Sequence, residues 1–131
     1  MAIISQAIKA LKAKRLEITR VAAGAITKFA PVRLDVSNEA WTAGVSSEIE
    51  ATVIGVALND AAIGEDVLIL LFGNLEDVTF THALSILLFQ SSVGPISENA
   101  TTIVGEWFCI IGKSNGTGAI FINPEAPVEV T

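Results

Sequence analysis

Apolar residues gather in two runs in the middle of the chain, 53–58 (Val-Ile-Gly-Val-Ala-Leu) and 67–72 (Val-Leu-Ile-Leu-Leu-Phe). Between them lie a polar turn, Asn59-Asp60, and a glycine-acid pair, Gly64-Glu65. Short apolar runs bounded by turn residues predict strands. The second run is apolar at both parities of the alternation. That predicts a central strand or one lying under a subunit contact, ended by Gly73-Asn74. Residues 109–122 repeat the plan in shorter form, with Ile111-Gly112 matching Ile54-Gly55 and Gly118 matching Gly64. The paired glycines are nine positions apart in the first unit and six in the second, so the repeat is approximate.

Alternation extends the β pattern in both directions. Residues 32–36 alternate apolar and charged side chains behind Pro31, whose missing amide is tolerated at a strand start. Residues 48–53 alternate again and are expected to run as a strand into the first apolar run. Residues 78–81 read as a short strand, and 83–89 as a strand by their length and the polar stop Gln90-Ser91-Ser92. Residues 37–47 are polar and read as a loop that carries Trp41. Asn115-Gly116 between 107–111 and 119–122 predicts a hairpin, because both residues tolerate positive φ. The tail, with Val128-Glu129-Val130, predicts an edge strand or an extended arm. About eight short strands separated by glycine turns predict an all-β chain, a small β-barrel or sandwich.

The first twenty residues differ. Ile4, Ala7, Ile8 and Leu11 recur at three- and four-residue spacing, which places them on one helical face, with Lys9, Lys12 and Lys14 mostly elsewhere. So short a helix is marginal alone in water and needs something to take up its apolar stripe. From Ile18 onward the pattern is β. The expected organisation is a basic amphipathic N-terminal helix or arm over 1–20 and a barrel-like body over 21–131.

Charge reinforces that division. The 131 residues carry a formal net charge of −6, from eight bases and fourteen acids. Seven of the bases lie at or before Arg33, where Glu17 is the only acid, and Lys113 alone follows among thirteen acids. A basic arm on an acidic body suits an acidic protein surface better than nucleic acid. Hydrophobic residues make up 51%, enough for one packed domain, whereas charged residues make up only 17%. So few charges on a small domain predict apolar surface hidden in a partner or an oligomer. No apolar run reaches the roughly 18 residues of a membrane helix, and no base precedes Ile3-Ile4 as a signal peptide would require. Synthesis in a cytoplasm, with no membrane partner, is the expectation.

The residues offer little catalytic chemistry. Gly112-Lys113-Ser114 resembles the end of a phosphate-binding loop, but Trp107 stands where the motif needs its first glycine. His82 is the single histidine, so a His-rich zinc site is excluded. A Ser85–His82–Asp77 arrangement can be drawn, but no Gly-x-Ser-x-Gly elbow surrounds Ser85. Glu48/Glu50, Glu65/Asp66 and Glu76/Asp77 are more simply solvated or turn acids than calcium ligands or an acid/base pair. Cys109, between Phe108 and Ile110, reads as a small core residue. Trp107 reads as core, and Trp41 as an exposed anchor for a protein or a ligand. No enzyme activity, cofactor or metal is expected.

Three stretches carry a family resemblance. Residues 24–32 (Gly-Ala-Ile-Thr-Lys-Phe-Ala-Pro-Val), residues 53–67 and the closing Ile111-Gly112 … Gly118-Ala119-Ile120-Phe121-Ile122 resemble the small capsid decoration (cement) proteins of tailed bacteriophages. The similarity covers roughly residues 24–123, with Ile63 where the family's second alanine would stand. The resemblance implies a β-barrel-like, non-enzymatic virion protein, often a homotrimer. It implies attachment to the outside of the head, clamping neighbouring major capsid protein subunits against the pressure of packaged DNA. About twenty residues precede the matched region, unlike many relatives, and the arm is then a natural anchor. Expected capsid contacts are Ile4, Ile8, Lys9, Leu11, Lys12, Arg15 and Arg20, with Arg33 and Trp41 as weaker candidates. The alternative is a carbohydrate- or receptor-binding β module of a phage head or tail fibre, which would present Trp41 beside carboxylates.

Overall fold

The computed structural model describes residues 15–131. The strands are β1 (Leu16–Val21), β2 (Pro31–Leu34), β3 (Ala40–Thr42), β4 (Gly55–Ala57), β5 (Asp66–Glu76), β6 (Leu87–Phe89), β7 (Trp107–Phe108), β8 (Ile110–Ser114), β9 (Ala119–Ile122) and β10 (Val128–Glu129). One helical turn, α1 (Glu48–Ala51), joins β3 to β4. The chain is nearly all β, as the alternation predicts. Its main sheet is antiparallel, in the order β3-β2-β4-β5-β9-β8-β6, with β1 paired to β5; β7 and β10 form a separate pair. The sheet curls into a half-barrel. Just past β1, Ala22 meets Ala40 of β3 in a parallel bridge, which joins the two edges at that point.

The long central strand β5 organises everything else. Alternation along β4 and β5 sends Val56 and Leu70 to one core and Ala57, Val67 and Ile69 to another. The smaller core fills the curl of β1–β5 with Ala22, Ile26, Val32 and Ala40. The larger lies between the other face and the β8–β9 hairpin, holding Leu88, Cys109, Ile111, Ile120 and Ile122, all 0% exposed. Leu70 and Leu75 both enter this larger core although they are an odd number of positions apart. A straight strand cannot do this. Gly73, at φ 127°, lets the strand turn its pleat over between them. The expected end of the strand at Gly73-Asn74 is therefore corrected: β5 continues to Glu76 and pairs with β9 beyond the glycine.

The approximate repeat has a steric counterpart. A Cβ on Gly55 would lie 2.2 Å from the Leu70 carbonyl oxygen, and one on Gly112 would lie 1.9 Å from that of Phe121. Both glycines let a neighbouring strand approach closely. Gly64 and Gly118 adopt φ of 85° and 87° in the two connecting turns. The Asn115-Gly116 hairpin between β8 and β9 is formed as expected.

Four local expectations are corrected. Residues 48–51 form α1 and not a strand: Ser47 accepts a hydrogen bond from the Glu50 amide at 3.2 Å, and Ser-x-x-Glu is a helix-start signature that outweighs the alternation over 48–53. Trp41 lies on strand β3 and not in a loop, because Asp35 accepts from the Ser37 and Glu39 amides at 2.9 and 3.0 Å and turns the chain back on β2. Residues 78–81 are no strand: Asp77 accepts from the Thr79 amide at 2.9 Å, and the turn drops Phe80 into the larger core. Of residues 83–89 only Leu87–Phe89 is extended in the sheet, after a turn with Ser85 at φ 64°. The strand β1 already begins at Leu16, so residues 16–20 of the expected arm belong to the sheet.

Candidate contact surface

Cross-strand register builds an apolar stripe on one face of the sheet. Leu16 stands opposite Phe72, and Leu87, Lys113, Phe121 and Asn74 lie in one row across β6, β8, β9 and β5. Residues directly opposed across an antiparallel ladder share a face. Phe72 and Phe121 meet edge to face at 5.1 Å, joining the row to Leu16. The result is an outward stripe of Leu16, Phe72, Phe121 and Leu87 with one cation, Lys113, inside it. Leu16 is 50%, Phe72 37% and Leu87 46% exposed. The doubly apolar run at 67–72 was the one sign of this surface in the sequence. Leu87 and Lys113 gave none, because five strands must pair before the stripe exists.

Of the expected contact residues, Ile4, Ile8, Lys9, Leu11 and Lys12 lie outside the described residues. Arg15 is exposed and pairs with Glu17 at 3.0 Å, a surface ion pair of little energetic consequence. Arg20, at the far end of β1, donates to the Thr19 carbonyl at 2.9 Å.

Arg33 and Trp41 are brought together as a cross-strand pair of β2 and β3. The guanidinium lies over the indole, 5.6 Å from its centroid, a cation–π arrangement. The indole N–H donates to Asp35 Oδ2 at 2.9 Å. That bond, helped by the Glu39 amide, holds the Asp35 carboxyl below its usual range. Arg33 covers one face of the ring, and Trp41 is 38% exposed.

A hollow of about 670 Å³ lies between residues 25–30 and the turn at 92–96. Phe29 and Phe80, 4.9 Å apart, form part of its wall beside Lys28, Glu50 and His82. His82 Nδ1 meets Glu98 Oε2 at 2.5 Å, and Asp77 is turned toward Thr79, so the Ser85–His82–Asp77 arrangement is not assembled. Among the described residues no three His, Cys, Asp or Glu side chains converge as a metal site would require. The acids of the β4–β5 turn have structural partners: Asp60 accepts from the Lys28 amide at 2.7 Å and Glu65 from the Ala62 amide at 2.7 Å. Cys109 is buried, which pushes its thiol pKa up and keeps the sulfur protonated, as its apolar neighbours predict. Among the described residues no helix is long and apolar enough to cross a membrane.

No protein-family model matches this chain, and no curated protein is significantly similar to it.

Proposed function

We propose that this chain is a capsid decoration protein of a tailed bacteriophage. It binds the outer surface of the head as a homotrimer and clamps neighbouring major capsid protein subunits. It transforms no molecule. The observation that carries the reading is the stripe of Leu16, Phe72, Phe121 and Leu87 on a sheet whose strands β6, β8 and β9 pack Leu88, Ile111, Ile120 and Ile122 into the larger core on the other face. A rigid face of this kind suits burial against another protein. The motif resemblance and the concentration of bases before residue 34 point the same way.

Clamping of this kind needs only geometry. Each protomer adds a weak contact, and a trimer engages the second and third contacts at high effective concentration. Attachment then far exceeds that of one protomer. The bases Arg15, Arg20 and Arg33 steer the subunit toward an acidic capsid surface, an effect that fades as salt rises.

Light scattering on the purified protein, followed by cosedimentation with heads that lack it, tests the reading. The expected result is a trimer that pellets with heads, less so at high salt. A monomer that stays in the supernatant refutes it. Retention on a glycan array without binding to heads would support the receptor-binding alternative.

A further inference from the structure

The hollow beside Phe29 has three ionisable side chains in its wall, Lys28, Glu50 and His82, and one of them is unmatched. The Lys28 ammonium lies 4.8 Å from the centre of the Phe29 ring, a cation–π contact. Bonds from the Thr79 amide and hydroxyl hold the nearby Asp77 carboxyl below its usual range, and the Lys28 charge adds to the effect. His82 is bonded to Glu98. Glu50 differs. Among the described residues the ion pairs are Arg15–Glu17 and His82–Glu98, so its carboxylate has no cationic partner there. Glu50 is only partly exposed, and its carboxylate lies against Gly44, where a Cβ would stand 2.9 Å from Oε1.

A strained turn fixes the aromatic part of the wall. The Ala30 amide donates to the Thr27 carbonyl at 3.0 Å, and Phe29, the third residue of this turn, has φ 71°. Glycine or asparagine is the usual occupant of such a position. The bond from the Phe29 amide to the Ala57 carbonyl at 2.7 Å and the ring contact with Phe80 keep Phe29 there. A bulky residue held in the left-handed region is found most often where its geometry serves binding.

We propose that this hollow binds an organic cation, a primary ammonium at the end of an apolar chain, carried by a free amine or by an exposed lysine of another protein. The ammonium meets Glu50 and the chain lies along Phe29. A partly desolvated carboxylate attracts a cation more strongly than one in open water, and the hydroxyls of Thr42 and Ser92 in the wall can accept from the same group. An anion would face Glu50 unopposed, while the Lys28 charge is already shared between a ring and Asp77. A volume of about 670 Å³ falls in the range of small-ligand sites. The inference does not rest on the capsid reading.

The test is an NMR titration of the full-length chain with N-acetyl-lysine methylamide, following the Gly44 and Gly94 amides. N-acetyl-norleucine methylamide, which has the same chain without the ammonium, is the control. The expected result is a saturable shift with affinity at least roughly tenfold above the control, and a loss of roughly tenfold in Glu50→Gln. Lys28→Met supplies a readout that a merely structural role would not move. Removing a like charge should tighten the lysine probe by roughly threefold, whereas a site for anions would weaken toward acetate. Pentylammonium binding tighter than the lysine amide assigns the hollow to free amines, and the reverse order assigns it to a protein side chain; both uphold the ligand class. Equal affinity for the lysine and norleucine probes, no saturation by about 50 mM, or weaker lysine binding in Lys28→Met overturns the proposal.

Discussion

Replacing Gly55 by alanine tests the steric basis of the repeat. The new Cβ would stand 2.2 Å from the Leu70 oxygen, 2.8 Å from the Leu70 carbonyl carbon and 2.9 Å from Ile69 Cγ2. An ordinary C···O contact is about 3.3–3.6 Å, so β4 must retreat from β5 by about 1 Å. The Leu58 amide bonds the Leu68 carbonyl at 2.8 Å, and a retreat of that size breaks it. Each backbone bond lost in a buried setting costs about 1–3 kcal/mol. Val56 and Leu70, both 0% exposed, lose packing at the same time. Together the loss is about 3–5 kcal/mol, a large share of a typical domain's stability. Gly64→Ala is the internal control: φ is 85° and a Cβ would meet nothing within 4 Å, so only the left-handed backbone penalty of about 1–2 kcal/mol applies. Gly112→Ala, with a clash at 1.9 Å, should behave like Gly55→Ala, and Gly118→Ala like Gly64→Ala. Urea unfolding followed by circular dichroism ranks the four variants. If Gly64→Ala and Gly118→Ala destabilise as much as the other two, close strand approach is not what these glycines provide.

Two further outcomes are expected. Gln90 is 1% exposed; its Nε2 donates to the Gly44 and Trp107 carbonyls at 3.2 and 3.1 Å, and its Oε1 accepts from the Cys109 amide at 2.7 Å. Gln90→Leu should therefore lower unfolding free energy by about 2–4 kcal/mol in urea titration, and a loss below about 1 kcal/mol would show those groups find other partners. The lowered Asp35 pKa means its contribution to stability is present above the usual aspartate value and is lost as pH falls through the lower folded value. An NMR titration of the Trp41 indole N–H should show its midpoint below the usual aspartate range and vanish in Asp35→Asn; a midpoint at or above that range contradicts the Trp41–Asp35 bond as its cause.

What the linear chain determined about this protein was its β class, its central strand and its two glycine-linked hairpins. These follow from period-two alternation at 32–34, from the apolar runs at 67–72 and 119–122 and from residues with strong turn chemistry, all of which act between near neighbours. Local competition misled the alternation elsewhere. Ser47 capped a helix inside an alternating stretch, Asp35 turned the chain so that Trp41 joined a strand, and Asp77 turned residues 78–81 out of the sheet. Their side-chain bonds span two to six positions, and in principle such signals can be read beforehand. The tertiary structure alone decided the rest. Gly73 inverts the pleat of β5 so that Leu70 and Leu75 share a core, Gln90 is drawn from a polar stop into the interior, and Arg33 meets Trp41. The stripe from Leu16 to Leu87 and the hollow walled by Phe29 and Phe80 depend on which segments become neighbours. Register between segments tens of residues apart sets those surfaces, and it is settled by mutual burial and backbone pairing across the whole sheet.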